Sequence, residues 1–139
     1  MHKQSKSLES LTRNQNLVLN VLKGARKALS AYTILDQLRD EGLRAPLQVY
    51  RALDKLVETG IVHKLESMNA FIACSHPNCG GQSIAAFGIC DDCSEVFEIA
   101  DAAFEKAVNH MAQSHSFNAS KAMIELHGVC HTCQQKESN

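Results

Sequence analysis

The first sixty residues repeat apolar positions with the period of an α-helix, and helix-starting and helix-ending signals divide them into three stretches. The starts are Thr12, Ser30 and Pro46, residue types that cap helices or fit their first turn. The second and third stretches end at Gly42 and Gly60. The third stretch carries apolar residues at the i, i+4, i+7, i+8 spacing of one helix face, namely Val49, Leu53, Leu56 and Val57. The pattern predicts three amphipathic helices.

A different period follows, because residues 61–66 and 70–74 alternate apolar and polar side chains around a turn at 67–69. Three short helices and a hairpin make a winged helix-turn-helix, which we assign to residues 1–74. In that arrangement the last helix enters the DNA major groove. Its polar face carries Gln48, Tyr50, Arg51, Asp54 and Lys55. A helical bundle with a solvated polar face would show the same pattern.

The second half of the chain predicts a small β-β-α-β domain over residues 84–139, joined to the first by a hinge and metal loop at 75–83. The strands are expected at 84–89, 96–99 and 123–129. A helix begins at the cap Asp101 and runs to about His115. Its expected inward face comprises Ala103, Phe104, Ala107, Val108 and Met111. This domain is too short to bury that face, so we expect a homodimer. The fold class is therefore α+β.

Charge separates the two halves. Residues 1–66 contain eleven Lys and Arg against seven Asp and Glu, whereas residues 67–139 contain three against eight. A basic front half suits nucleic acid, although many solvated surfaces have a similar balance. The sequence contains no apolar run long enough to span a bilayer, and residues 1–10 lack the apolar core of a signal peptide. We therefore expect a cytoplasmic protein that does not associate with membranes.

Four of the six cysteines form two matched pairs, Cys90-x-x-Cys93 and Cys130-x-x-Cys133. Each pair can bind one metal ion from a tight turn, and four thiolates complete a tetrahedral zinc site with no open position. Such a site is structural. A disulfide scaffold, a redox dithiol and simple buried cysteines are the alternatives, of which the first is disfavoured in a cytoplasmic protein.

Several motifs resemble the ferric uptake regulator family from about Thr12 to Cys133. They are Leu-Ser-Ala-Tyr at 29–32, Val-Tyr-Arg-Ala-Leu at 49–53, Gly-Ile-Val-His-Lys at 60–64 and the two cysteine pairs. Within the family, His-Lys-Leu-Glu-Ser at 63–67 and Ala-Phe-Ile-Ala-Cys at 70–74 resemble the zinc uptake regulator branch. The iron- and peroxide-sensing branches place histidines just before the first cysteine pair, and residues 84–89 contain none.

The resemblance implies a zinc-responsive repressor of zinc uptake genes. It would bind a palindromic operator in double-stranded DNA as a homodimer when zinc is plentiful, with two zinc ions per protomer, one structural and one regulatory. It would be no enzyme and have no small-molecule substrate. An iron- or peroxide-sensing regulator of the same family is the runner-up. A zinc enzyme is less favoured, because the His-x-Glu and Pro-Cys-x-x-Cys motifs of zinc deaminases are absent.

The resemblance also implies residue roles. The structural metal ligands would be Cys90, Cys93, Cys130 and Cys133. The sensor site would contain His63, Cys74 and Glu98, an N/S/O donor set that zinc accepts. The family's fourth ligand, a histidine, aligns near Ser83; the donors available here are Cys79, which we favour, and His76. The DNA-contacting residues would be Tyr32, Tyr50, Arg51 and Lys64.

Overall fold

A computed structural model shows two compact units, Met1–Gly80 and Gly81–Asn139. It describes residues 11–25, 27–74, 83–99 and 101–137. The predicted hinge and metal loop at 75–83, with His76 and Cys79, lies outside the described residues except for the backbone of Ser83. No helix in the described ranges is long and apolar enough to cross a membrane.

The first unit contains three helices followed by a hairpin. In chain order these elements are α1 (Arg13–Gly24), α2 (Ala31–Leu38), a 3-10 turn (Arg39–Glu41), α3 (Pro46–Glu58), β1 (Val62–Leu65) and β2 (Ala70–Ala73). The helices begin where the sequence predicts. Thr12 caps α1 by accepting a hydrogen bond from the N–H of Gln15, and Ser30 caps α2 by accepting one from the N–H of Thr33. Gly42 ends the turn after α2 at φ 100°, a conformation that glycine adopts without steric cost.

One hydrophobic core holds this unit together. It contains the predicted apolar faces of all three helices, with Val18, Ile34, Val49 and Leu53 fully buried. The hairpin contributes Val62 and Phe71 to this core. An antiparallel bridge adds Leu29, the residue before the cap of α2, to the sheet, since Leu29 and Phe71 exchange two backbone hydrogen bonds of 2.8 Å. This arrangement is the predicted winged helix-turn-helix.

The second unit is a three-stranded sheet with two helices. Its elements are β3 (Ser83–Cys90), β4 (Val96–Ile99), α4 (Ala102–Ser114), β5 (Lys121–Gly128) and α5 (His131–Glu137). The strand order is β4-β3-β5, with β4 antiparallel and β5 parallel to the central strand. The helix α4 serves as the crossover that a parallel pair needs. Asp101 caps it, accepting hydrogen bonds from the N–H groups of Ala103 and Phe104. The predicted α+β class with a β-β-α-β second domain is confirmed.

The apolar side of helix α4 is only partly covered within the protomer. None of its residues is buried in the protomer, and Ala103, Ala107 and Met111 of the expected inward face are exposed. Phe104 and Val108 are half-buried. One protomer therefore leaves most of this apolar side uncovered, as expected for a domain too short to bury it.

Candidate metal centre and nucleic-acid interface

The two Cys-x-x-Cys motifs meet because each follows one strand of a parallel pair. The register places Cys90, the last residue of β3, beside Gly128, the last residue of β5. Parallel strands end at the same edge of a sheet, so both motifs begin at one place. The N–H of Asp91 donates to the carbonyl of Gly128 over 2.7 Å and continues the pairing one residue further. Thus residues forty positions apart in sequence become neighbours.

Two local structures then turn the thiols toward one point. After β3 the chain folds back at Ser94, which has φ 63°, and its N–H donates to the carbonyl of Cys90. After β5 the helix α5 begins, and the N–H of Gln134 donates to the carbonyl of Cys130. The second pair therefore lies across the first turn of a helix.

The four sulfurs fit a tetrahedral metal. The Sγ atoms of Cys90, Cys93, Cys130 and Cys133 all lie within 4.8 Å of one another. Those of Cys93 and Cys130 are 3.8 Å apart. A zinc–sulfur bond of about 2.3 Å requires sulfurs about 3.8 Å apart at tetrahedral angles. Two of the residues, Cys90 and Cys133, are buried, so solvent would have little access to a bound ion. The donor set thus fits zinc in a closed, structural site.

Backbone hydrogen bonds favour a negative charge on one sulfur. The N–H groups of Cys130 and Cys93 donate to the Sγ of Cys90 over 3.3 and 3.5 Å. These donors, that of Cys130 first, lower the pKa of Cys90 to about 6. The neighbouring thiol of Cys130, followed by burial, raises the pKa of Cys133 to about 12. A cation at the centre of the cluster would favour the thiolate form of all four.

Two histidines close to the cluster have other partners. The Nδ1 atom of His127 lies 3.6 Å from a carboxylate oxygen of Asp91, and the Nε2 atom of His131 lies 2.9 Å from the amide nitrogen of Gln135. Both histidines are exposed. The four sulfurs already provide a complete tetrahedral set.

The residues predicted for a sensor site lie on both units. In the first unit, His63 is paired with Ile72, and Cys74 extends the hairpin by donating its N–H to the carbonyl of Ile61 over 2.9 Å. Side chains alternate along a strand, so His63 and Cys74 project from the same face of the hairpin, opposite the core face. Both are half-buried. In the second unit, Glu98 is a half-buried residue of β4 opposite Phe87. The candidates Cys79 and His76 lie outside the described residues.

The predicted DNA-contacting residues differ in exposure. Arg51 is exposed on α3, and Tyr32 is 62% exposed at the start of α2. Tyr50 is half-buried and packs against the core of its unit, so only part of its ring is available. Lys64 is half-buried, with its Nζ 3.6 Å from a carboxylate oxygen of Glu66 and 5.9 Å from the centre of the Phe71 ring. Arg51 and Tyr32 are the more accessible of the four.

Two further residues of α3 have features that were not predicted from the sequence. Leu47 is 57% exposed at the second position of the helix, where its apolar side chain could meet a thymine methyl group. Gln48, expected only as a base-capable side chain, accepts two backbone hydrogen bonds at the helix start. Nothing in the local sequence predicts that Leu47 is exposed. The capping role of Gln48 could have been predicted, because Gln is common at the third position of helices.

A winged helix-turn-helix followed by a sheet with a four-thiol metal centre defines a class of metal-dependent DNA-binding regulators. The chain belongs to the ferric uptake regulator family, whose family model matches residues 9–127. It is 37% identical over 129 residues to the zinc uptake regulation protein of Escherichia coli strain K12, covering 92% of this chain and 75% of that protein. The resemblance to the zinc uptake regulator branch is confirmed.

Solved structures show the same relationship. A zinc uptake regulator in complex with zinc and DNA is 34% identical, with a TM-score of 0.86 over 98% of this chain and 93% of that one. The holo form of XcZur is 40% identical, with a TM-score of 0.79 over 90% of this chain and 86% of that one.

Proposed function

We propose that this protein is a zinc-responsive transcriptional repressor that controls zinc uptake genes by binding operator DNA. The observation that carries the proposal is the presence, in one chain, of a winged helix and a closed four-thiol centre. The similarity to a zinc uptake regulator solved with zinc and DNA supports it. A regulator that binds chromosomal DNA would act in the cytoplasm.

The four-thiol centre would hold a structural zinc. When bound by the four thiols, zinc would join the end of β3 to the start of α5, and a structural zinc of this kind contributes directly to folding. Cys90, Cys93, Cys130 and Cys133 fill all four positions, so no site is left for a substrate or a water molecule. The chain is accordingly proposed to be a regulator and not an enzyme, with no small-molecule substrate.

A second zinc is proposed to act as the signal, giving two per protomer. His63 and Cys74 on the hairpin, Glu98 on β4 and either Cys79 or His76 would be its ligands. These residues belong to both units, so ligation would couple zinc binding to the arrangement of the DNA-binding unit. The mixture of imidazole, thiolate and carboxylate donors suits zinc better than manganese or magnesium. Iron or peroxide sensing is the second candidate, because residues 84–89 lack the histidines that those branches of the family place before the first cysteine pair.

DNA recognition is proposed to use α3 and its surroundings. Arg51 can donate two hydrogen bonds to O6 and N7 of guanine, and the exposed part of the Tyr50 ring can contact a thymine methyl group. Tyr32 and Lys64 would contact the DNA backbone.

A homodimer would place two such helices on a palindromic operator. In the second unit, several large apolar side chains are exposed in the protomer: Phe97, Met111, Phe117, Ile124 and Leu126. They extend over β4, α4, β5 and the segment between the last two. In the described sheet β5 is an edge strand, which pairs with β3 on one side and has no strand on the other. An apolar surface with an open strand edge is typical of an interface between protein subunits.

A zinc titration of the reduced protein against chelators of graded affinity tests the proposal. We expect two classes of zinc per protomer, one resistant to chelation and one that exchanges at low buffered zinc. Operator affinity, measured in the same buffers, should follow the second class. A single resistant zinc would leave His63, Cys74 and Glu98 without a metal and would contradict zinc sensing. Operator affinity that follows Fe²⁺ and is unaffected by zinc would favour the second candidate.

A further inference from the structure

The amide of Gln48 has a fixed orientation at the start of the recognition helix. Its Oε1 atom accepts hydrogen bonds from the backbone N–H of Arg44 over 3.0 Å and from that of Ala45 over 3.1 Å. Both partners are N–H donors, so the atom facing them must be the oxygen, since an amide NH₂ group cannot accept. The assignment of oxygen and nitrogen therefore follows from chemistry.

This orientation has a reason in the local sequence. Pro46 occupies the first turn of α3, and the cap residue Ala45 has no side-chain acceptor to satisfy the N–H groups at the helix start. Gln48, at the third helical position, reaches back to the N–H of the cap residue, as the second half of a capping box does. The side chain is otherwise exposed, and its Nε2 atom has no hydrogen-bond partner among the described residues.

A glutamine held in this way differs from one that reads adenine. The usual contact of Gln with adenine is bidentate, with Oε1 accepting from N6 and Nε2 donating to N7. Here both hydrogen bonds that Oε1 can readily accept come from the protein's own backbone. Only the two N–H bonds of Nε2 are available to DNA. The residue can therefore bind base edges that offer acceptors, and cytosine offers only its N4 donor in the major groove.

We propose that Gln48 is a specificity-determining residue that acts only as a hydrogen-bond donor and selects against cytosine at one position of each operator half-site. The proposal rests on the proposed function, because it assumes that α3 enters the major groove. Residues at the N-terminal end of a recognition helix are those that contact bases, and Gln48 is third in α3. Guanine, with two acceptors, is the preferred base, whereas adenine N7 and thymine O4 are tolerated.

The chain contains a matched control in α1. Gln15 occupies the same third position, and its Oε1 accepts from the N–H of the cap residue Thr12 over 3.1 Å. It differs in location, since α1 is not the recognition helix, and in being half-buried. Gln15→Glu and Gln48→Glu make the same chemical change at two equivalent caps. Both variants retain an oxygen for the backbone N–H groups, and a negative charge is favourable at a helix N-terminus.

The test is a selection of binding sites from a randomised duplex library by the full-length, zinc-loaded protein. We expect wild-type protein to enrich a palindrome in which one position per half-site is depleted of cytosine by about fivefold, the effect of one neutral hydrogen bond. Gln48→Glu presents an acceptor and should enrich cytosine or adenine at that position. Gln48→Ala should show no preference there, while Gln15→Glu should keep the wild-type profile.

The outcomes separate this proposal from the proposed function. If wild-type protein enriches no sequence with zinc, the repressor function itself fails, and the role of Gln48 fails with it. If wild-type protein enriches a palindrome but both Gln48 variants select the same bases at every position, Gln48 is a capping residue only. A weaker affinity of Gln48→Glu without a changed profile would also overturn the proposal, because added negative charge repels all DNA equally.

Discussion

The backbone N–H of Cys130 donates to the Sγ of Cys90 over 3.3 Å, although forty residues separate them in the chain. The contact exists because β3 and β5 are parallel and in register up to their ends. It joins the two cysteine pairs directly, through a backbone donor of one and a sulfur of the other. The metal centre is therefore a consequence of the sheet topology.

Replacing a buried thiol of this centre should release the structural metal. Cys133→Ser removes one of four ligands, and we expect the chelation-resistant zinc to fall from one per protomer to nearly none. The second unit should then unfold at least about 10 °C lower, because structural zinc sites contribute several kcal/mol to folding. Metal analysis and calorimetry measure the two effects. Asp92→Ser, at an exposed residue within the first motif, is the control and should keep zinc. Unchanged zinc content in Cys133→Ser would contradict the four-thiol site.

The metal-free protein should show one unusually acidic thiol. The pKa of Cys90 is lowered from 9.0 to about 6, so its thiolate stabilises the fold above pH 9 and this contribution is lost as the pH falls through 6. The pKa of Cys133 is raised to about 12, so its contribution has the opposite sign: it is present below pH 9 and lost as the pH rises toward 12. Ultraviolet absorbance of thiolates should show a first step near pH 6. Absence of that step in wild-type protein, or its persistence in Cys90→Ser, would contradict the assignment.

Arg51 should contribute to sequence-specific DNA binding. Its side chain is exposed on α3, and truncation to alanine should cost about 1–3 kcal/mol of operator affinity while leaving folding unchanged. Fluorescence anisotropy with zinc-loaded protein, on operator and on unrelated DNA, measures the loss of specificity. Lys106→Ala removes an exposed positive charge from α4 in the second unit and controls for net charge. Wild-type operator affinity in Arg51→Ala would exclude the role.

The exposed apolar side of α4 should be covered by a second copy of the chain. Met111 is 59% exposed there, and Met111→Glu would place two charges in a symmetric interface. We expect the dimer dissociation constant to rise on the order of 100-fold, because buried unpaired charges are costly. Sedimentation equilibrium measures it. Gln113→Glu adds the same charge at an exposed polar position of the helix and should leave the dimer intact. Equal dissociation constants for the two variants would show that Met111 does not lie in the dimer interface.

The parts of the fold that could be predicted from the sequence depend on local signals. The caps Thr12, Ser30 and Asp101 accept the hydrogen bonds expected of them, and the alternation in 61–74 gives a hairpin. The helix α5 was not predicted, because His131–Glu137 is polar and has no apolar period. It begins just beyond the end of β5 and carries the buried Cys133 of the metal centre.

The orientation of α4 shows a different limit. A pattern of apolar residues identifies the side of a helix that avoids water, but it does not say whether the same chain covers that side. Phe104 and Val108 are partly covered within the protomer, whereas Ala107 and Met111 are not. Similarly, a glutamine on a polar face can cap the helix, contact DNA or do both. The distances to Arg44 and Ala45 show that Gln48 caps its helix through Oε1 and fix which end of its amide faces outward.

The parallel pairing of β3 and β5 also determines when the metal centre can form during synthesis. Cys90 and Cys93 leave the ribosome some forty residues before Cys130 and Cys133, and neither pair alone completes a tetrahedron. By then the winged helix, which has its own hydrophobic core, has had time to fold by itself. The ability to bind the structural metal therefore arises last. A nascent chain that stops before Cys133 would carry a folded DNA-binding unit but an incomplete four-thiol centre.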